Sequence, residues 1–251
     1  MSGHSKWSTI KRKKGANDAK RGAIFTKIIK EITVAAKNGG EDQTSNPSLR
    51  AAVLKAKANN MPNDNIERAI KKGAGTLEGV SYEEIRYEGY GPGGVAIMVN
   101  CLTDNKNRTT PLIRMIFSKN GGNLGETGSV NYLFDRKAMF IIESGQTNED
   151  EIMELLIDFD LEDIKTEEDN IIITANPDHF HQIAEVLDKK NYNLLVNEVT
   201  FVPQTTISLD EKKATQCLRI VELLEEEEDV QDVYSNFDIS DELMLKISEG
   251  Q

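Results

Sequence analysis

The hydrophobic period of the chain changes once, at a glycine-bearing stretch from Gly73 to Gly79. Before it, apolar residues recur every three or four positions. After it they run in short strand-like blocks with helical segments between them. One regular layer cannot hold both periods, so the chain must join a helical module to an α+β body. In the first part, Phe25, Ile28, Ile29, Ile32 and Ala36 form the buried stripe of a helix opening near Asp18 and ending at Gly39-Gly40. Asn46 followed by Pro47 predicts the start of a second helix, with Leu49, Ala52, Val53 and Ala56 inward. A third, following Asn63, turns Ile66, Ala69 and Ile70 inward and stops at Gly73. Lys20, Lys27 and Lys30 fall near the face opposite the first stripe, which predicts a cationic exterior.

The second part reads as two sheet-forming sets. Ile85 to Glu88 and Val95 to Leu102 form a hairpin through Gly91-Pro92-Gly93-Gly94, where Pro then Gly suits a type II turn. A helix follows through Leu112, Ile113, Ile116 and Phe117, its regular part expected to start near Pro111 because proline disrupts a helix interior. Val130 to Phe134 reads as a further strand. Residues 138 to 202 then give strand, helix, two strands, helix, strand, the ferredoxin-like order. In the tail, Ser208 and Glu211 suggest a capping box ahead of a helix through Leu218, Val221 and Leu224, with a strand from Val230 to Phe237. A lone helix–strand pair cannot bury its own face, so the tail is assigned back to the first sheet. The expected fold is α+β and multidomain: an N-terminal three-helix bundle followed by two ferredoxin-like α+β domains, one inserted in the other. The boundaries are 1–78 for the basic helical domain and its arm, 79–136 plus 204–251 for the discontinuous domain, and 137–203 for the insertion.

Charge divides along the same line. Net charge is −12 overall. Residues 1–72 hold 16 Lys or Arg against 6 Asp or Glu, whereas the remainder holds 14 against 36. A net of +10 beside a net of −22 suggests a basic module that seeks a polyanion, joined to an acidic body that repels one. The opening SGHSKWSTIKRKK has no hydrophobic period and carries Lys6, Lys11, Arg12, Lys13 and Lys14, so it reads as an extended arm. Such cations neutralise phosphates and release counterions, giving affinity without sequence choice. Trp7 could stack on an exposed base or fill a gap against the bundle. The candidate nucleic-acid-binding residues are Lys6, Trp7, Lys11, Arg12, Lys13, Lys14, Lys20, Arg21, Lys27 and Lys30. Asn105, Lys106, Asn107 and Arg108 form a second polar-basic segment, read as an RNA or protein contact or as a helix entry.

Other features carry less chemistry. The longest apolar runs fall far below the ~18 residues of a membrane span. Cys101 and Cys217 are 116 positions apart, and no CxxC spacing occurs. Cys101 reads as a small core residue. Gly122, Gly125 and Gly128 follow a helix rather than a strand, so they suggest a tight connection more than a nucleotide loop. His179 and His181 point to different helix faces and chelate poorly. The acidic run Glu225 to Asp229 reads as a solvated face. No catalytic or cofactor constellation emerges, so no enzyme activity, cofactor, metal or small-molecule substrate is expected. The basic N-terminus lacks the apolar core of a secretory signal, and a cytoplasmic location is expected.

Several segments together resemble the YebC family of probable transcriptional regulators. They are Gly3-His4-Ser5-Lys6-Trp7 with Ile10 to Lys14, Tyr87 to Gly94, Thr103 to Thr109, Phe117 to Gly122, Gly128-Ser129-Val130 and Asn236-Phe237-Asp238. The resemblance spans nearly the whole chain. It implies a cytoplasmic, non-enzymatic protein with one helical and two α+β domains. Family members are described as DNA-binding transcriptional regulators. Others, mitochondrial relatives included, act as translational activators on the ribosome at difficult sequences such as proline runs. The resemblance therefore implies DNA, or ribosomal RNA, as the partner.

Overall fold

The computed structural model describes residues 18–143, 145–167 and 170–249. The arm assigned to Lys6, Trp7, Lys11, Arg12, Lys13 and Lys14 lies outside them. Among the described residues three helices come first: α1 (Asp18–Gly39), α2 (Pro47–Ala58) and α3 (Asn63–Gly73). Asn46 caps α2, its side chain accepting the Leu49 N–H at 3.0 Å. Ile28, Ile32, Leu49, Val53 and Ile66 fill the core between the helices. Gly73 closes α3 where it meets α1, and a Cβ there would stand 2.2 Å from the Thr33 carbonyl oxygen. Only glycine lets the two backbones approach so closely.

The body that follows is two four-stranded antiparallel sheets. In the first, β1 (Glu83–Tyr90) and β2 (Ala96–Thr103) form a hairpin, with Glu83 opposite Thr103 and Tyr90 opposite Ala96. At the turn, Gly93 takes φ 80 and ψ 8, the third-residue conformation of a type II turn, and the Gly94 N–H reaches the Gly91 carbonyl at 3.2 Å. The edges are β3 (Asn123–Leu124) against β1 and β9 (Val230–Ser235) against β2. Helices α4 (Lys106–Lys119) and α7 (Glu211–Glu226) bury Ile113, Phe117, Cys217, Leu218, Val221 and Leu224 against Ile97, Val99 and Cys101 of β2.

The second sheet belongs to β4 (Phe134–Glu143), α5 (Glu149–Leu155), β5 (Leu161–Glu167), β6 (Asn170–Ala175), α6 (Phe180–Lys189) and β7 (Leu194–Pro203). Its order β5-β6-β4-β7 is the ferredoxin-like arrangement. Phe140, Ile142, Ile171, Ile173, Ile152, Leu156, Ile183 and Leu187 make its core. The short strands β8 (Ile207–Ser208) and β10 (Phe237–Asp238) then pair in parallel, and α8 (Asp241–Glu249) follows. Contacts divide the described residues into two compact units, 132–205 and the segments on either side of it.

Five local readings are corrected. Pro111 lies inside α4, which begins five residues earlier because Asn105 caps it, accepting the Arg108 N–H at 3.2 Å. Proline leaves only the Asn107 carbonyl without its helical donor, and Asn107 is exposed to water. Val130 to Phe134 is no strand of the first sheet: residues 131–133 form a 3₁₀ turn, and Phe134 opens β4. The amides there are held by a side chain, as described below. The cap of α7 is Asp210, accepting the Lys213 N–H, whereas Ser208 pairs in β8. The strand expected to run unbroken from Val230 to Phe237 is interrupted at Asn236, whose side chain accepts the Ala96 N–H at 2.7 Å. Helix α8 was not anticipated.

Because unit 132–205 holds its own core, it should unfold in one cooperative urea transition when expressed alone. Residues 79–131 alone should show none, since Leu218, Val221 and Leu224 of α7 would be missing from their core. A cooperative transition in that second fragment would refute the prediction.

Candidate nucleic-acid interface

The sequence places Lys27 and Lys30 on the outer face of α1, but the structure turns both inward. Lys30 is 5% exposed. Its Nζ lies 2.6 Å from Asp229 Oδ1 and donates to the Glu228 carbonyl at 2.9 Å, with the Tyr82 ring centroid 5.6 Å away. Lys27, half-buried, donates to the Glu225 carbonyl at 2.6 Å. Burial pulls the Lys27 ammonium below its ordinary pKa, and the nearby Glu225 and Asp232 only partly oppose this. The two lysines meet the chain where α7 ends and β9 begins. A helix C-terminus leaves carbonyls without partners, and ammonium groups suit that end of the dipole. The acidic run read as a solvated face is therefore, in part, the seat of α1.

Asp229 also receives the second candidate segment. Arg108 Nη2 lies 2.8 Å from its Oδ2 and 2.8 Å from Asp104 Oδ1. The Thr109 hydroxyl lies 2.7 Å and the Thr103 hydroxyl 3.1 Å from the same Oδ2. Burial alone would raise the Asp229 carboxyl. Hydrogen bonds from Lys30, Arg108 and Thr109 outweigh that and hold it well below the usual carboxylate range. Asp229 and Asp104 in turn raise the Arg108 guanidinium above its ordinary pKa. Lys30 and Arg108, 78 positions apart in sequence, thus share one carboxylate.

Of the remaining candidates, Asn105 is the cap of α4, and Lys106 and Asn107 are exposed. Lys20 and Arg21 lie on the first turns of α1. Around Asp229, the acids Asp104, Glu225, Glu228 and Asp232 lie close to Lys27, Lys30 and Arg108. That neighbourhood repels a polyanion. Sequence reasoning missed the outward cations of the helical module: Lys57 on α2, and Arg68, Lys71 and Lys72 on α3. These are exposed, and none forms an ion pair among the described residues. The signal was present in α3, where Arg68 and Lys72 are four apart and Lys71 lies between, opposite Ile66 and Ala69.

Glu88 organises the other motif-rich region. It is 3% exposed, and its carboxylate accepts the N–H groups of Gly128, Val130 and Asn131, each at 2.8 Å. Burial raises this carboxyl, but the three donors outweigh it and hold the group below its ordinary value. The glycines around it serve backbone approach: a Cβ on Gly122 would lie 2.7 Å from the Tyr90 carbonyl, and Gly128 takes φ +88. Cys101 and Cys217 are buried, and burial pushes each thiol up to about 12. Neither is a thiolate at neutral pH.

Residues 5–76 match the family model described as the TACO1/YebC protein N-terminal domain, and residues 82–237 match its second and third domain. A protein of Syntrophobacter fumaroxidans named "Probable transcriptional regulatory protein" is 55% identical over 249 residues, which cover 99% of this chain and 100% of that one. A Treponema pallidum protein of the same name is 54% identical over 245 residues, 98% of this chain and 100% of that one. Among solved structures, a conserved hypothetical protein from Aquifex aeolicus superposes with a TM-score of 0.79 at 45% identity, covering 89% of this chain and 93% of that one. No described helix is long and apolar enough to cross a membrane.

Both buried carboxylates should show in the acid limb of stability. A group whose native pKa is held below its unfolded value, 3.8 for Asp and 4.5 for Glu, stabilises fully above that value. The contribution is lost as pH falls through the depressed native pKa. Urea melts should therefore be flat from neutral pH to about 5 and weaken steadily below about 4. Asp229→Asn should cost about 3 kcal/mol at pH 7 by leaving Lys30 buried and unpaired. Glu88→Gln should cost about 2 kcal/mol. Each variant should lie closer to wild type at pH 2 than at pH 7, and a cost independent of pH would contradict the assignment.

Proposed function

Since the chain belongs to the TACO1/YebC family, we propose that it is a nucleic-acid-binding regulator of gene expression, acting through its basic helical module. The observation that carries this reading is where the positive charge remains available. Lys27 and Lys30 hold the module to the acidic body. Among the described residues that leaves Lys57, Arg68, Lys71 and Lys72 exposed to meet a polyanion, and the sequence adds the cations from Lys6 to Lys14. The relatives' names describe transcriptional regulation, and DNA is the partner that reading implies.

A second reading, a ribosome-associated translation factor gripping ribosomal RNA, draws on the composition of α3. A recognition helix meets base edges with residues near its N-terminal end. Here that end carries Asp64 and Glu67, which repel phosphates, and the cations gather at the other end. Contact of that kind is to phosphate and independent of sequence, and it suits structured RNA as well as duplex DNA. Either way the protein acts by binding rather than by catalysis.

The test is a titration of labelled duplex DNA and of structured RNA at several salt concentrations. Replacing Lys11, Arg12, Lys13 and Lys14 by Ala should lower the magnitude of the log-affinity against log-salt slope by about 3 on duplex DNA. It should weaken all sequences alike, with circular dichroism unchanged. An unchanged slope would remove the arm from the interface. A loss confined to one DNA sequence would favour base-specific readout, and preferential retention of ribosomal RNA would favour the second reading.

A further inference from the structure

A cleft of about 160 Å³ lies where the ends of α1 and α3 meet the linker into β1, with Lys37, Lys72, Gly79, Val80 and Ser81 in its lining. Both lysines occupy the last turn of their helices, or the residues just before it ends, where ammonium groups ordinarily serve carbonyls. At the end of α3 three of those carbonyls already have other donors, and at the end of α1 one does. At the end of α3, the Ala74 N–H takes the Ile70 carbonyl, and the Gly75 N–H takes that of Lys72. The Thr76 and Leu77 N–H groups and the Thr76 hydroxyl all take the carbonyl of Lys71. At the end of α1, the Gly40 N–H takes the Ala36 carbonyl, and the Asn46 side-chain amide takes that of Ala35. Among the described residues, neither ammonium group caps a carbonyl of its own helix.

Each lysine is nevertheless held in place. Lys37 Nζ donates to Ser81 Oγ at 2.7 Å, which leaves two of its three N–H groups. The stem of Lys72 lies along Gly79, where a Cβ would stand 3.2 Å from Lys72 Cγ. The Lys72 ammonium makes no hydrogen bond or ion pair among the described residues, and no acid lines the cleft. The volume corresponds to about five waters at roughly 30 Å³ each, enough for a tetrahedral anion. An ammonium held on a hydroxyl, a second ammonium with a packed stem and a free charge, and no opposing carboxylate define the chemistry of the occupant.

We propose that this cleft seats a phosphoryl group, supplied by the backbone of a nucleic acid lying on the helical module. The proposal of a backbone phosphate rests on the nucleic-acid reading above, whereas the phosphoryl site itself does not. The full chain, labelled with nitrogen-15, is titrated with inorganic phosphate and separately with a short single-stranded oligonucleotide. Sodium chloride at matched ionic strength serves as the control. Both probes should shift the amides of Gly79, Val80 and Ser81 saturably, and chloride should not. Lys72→Gln should weaken phosphate binding about tenfold while Lys72→Arg keeps it, since the charged hydrogen bond is what is lost. Circular dichroism checks that both variants are folded. If phosphate saturates these amides and the oligonucleotide leaves them unmoved, the backbone source is overturned and a small phosphorylated compound takes its place. If the oligonucleotide binds but neither probe moves these amides, the cleft proposal fails while the functional reading stands. If phosphate saturates the cleft and no nucleic acid binds the chain at all, the functional reading fails instead.

Discussion

The carboxylate of Asp229 sits between the end of α7 and the start of β9 and collects a lysine from the helical module, an arginine and two hydroxyls from the body. Its backbone carbonyl also accepts the Leu102 N–H at 2.8 Å, tying the loop to the end of β2. Four consequences meet there: the seat of α1, the entry into α4, the closing of β2 and the fixing of Arg108. A buried charge persists only when its partners replace the water it lost. With Lys30 and Asp229 both nearly buried, removing either one leaves the other charged in a poor medium. The rest of the arrangement around α1 depends on that pairing.

Glu88 shows the same device used on backbone instead of side chains. Three N–H donors within four residues converge on it, and the chain between β3 and β4 is thereby wrapped into a tight course that glycines make sterically possible. The Tyr90 hydroxyl adds a hydrogen bond to the Ser129 carbonyl at 2.7 Å. Amides held this way cannot also join a ladder, which is why the segment after Gly128 is irregular until Phe134. The acidity of the body is thus partly internal, with single carboxylates acting as ligands for loops and helix ends.

The charge segregation along the chain acquires two distinct meanings. Some cations of the helical module fasten it to the acidic body, and others face outward. Lys37 and Lys72, at the ends of α1 and α3, cap no carbonyl of their own helices among the described residues. The buried pairs fix how the module sits on the body, and the outward cations leave its surface positive.

Local signals determined much of this protein. Helix α1 from Asp18 to Gly39, the Asn46 cap and the type II turn at Gly93 follow from neighbours within a few residues, so periodicity and capping chemistry reveal them. The strand and helix sequence of the second sheet was legible for the same reason. Long-range partners were not. Asp229 looked like one acid in a run of five, and Lys30 like one cation on an outer face, because 199 positions separate them and side-chain type does not encode a partner that distant. Pro111 misled because a local rule against proline was outweighed by a cap at Asn105 and by apolar contacts of Ile113, Ile116 and Phe117. Composition separated the charges into two halves of the chain. Only the tertiary structure decided which of those charges neutralise one another inside the protein, because pairing depends on distance and burial rather than on order along the chain.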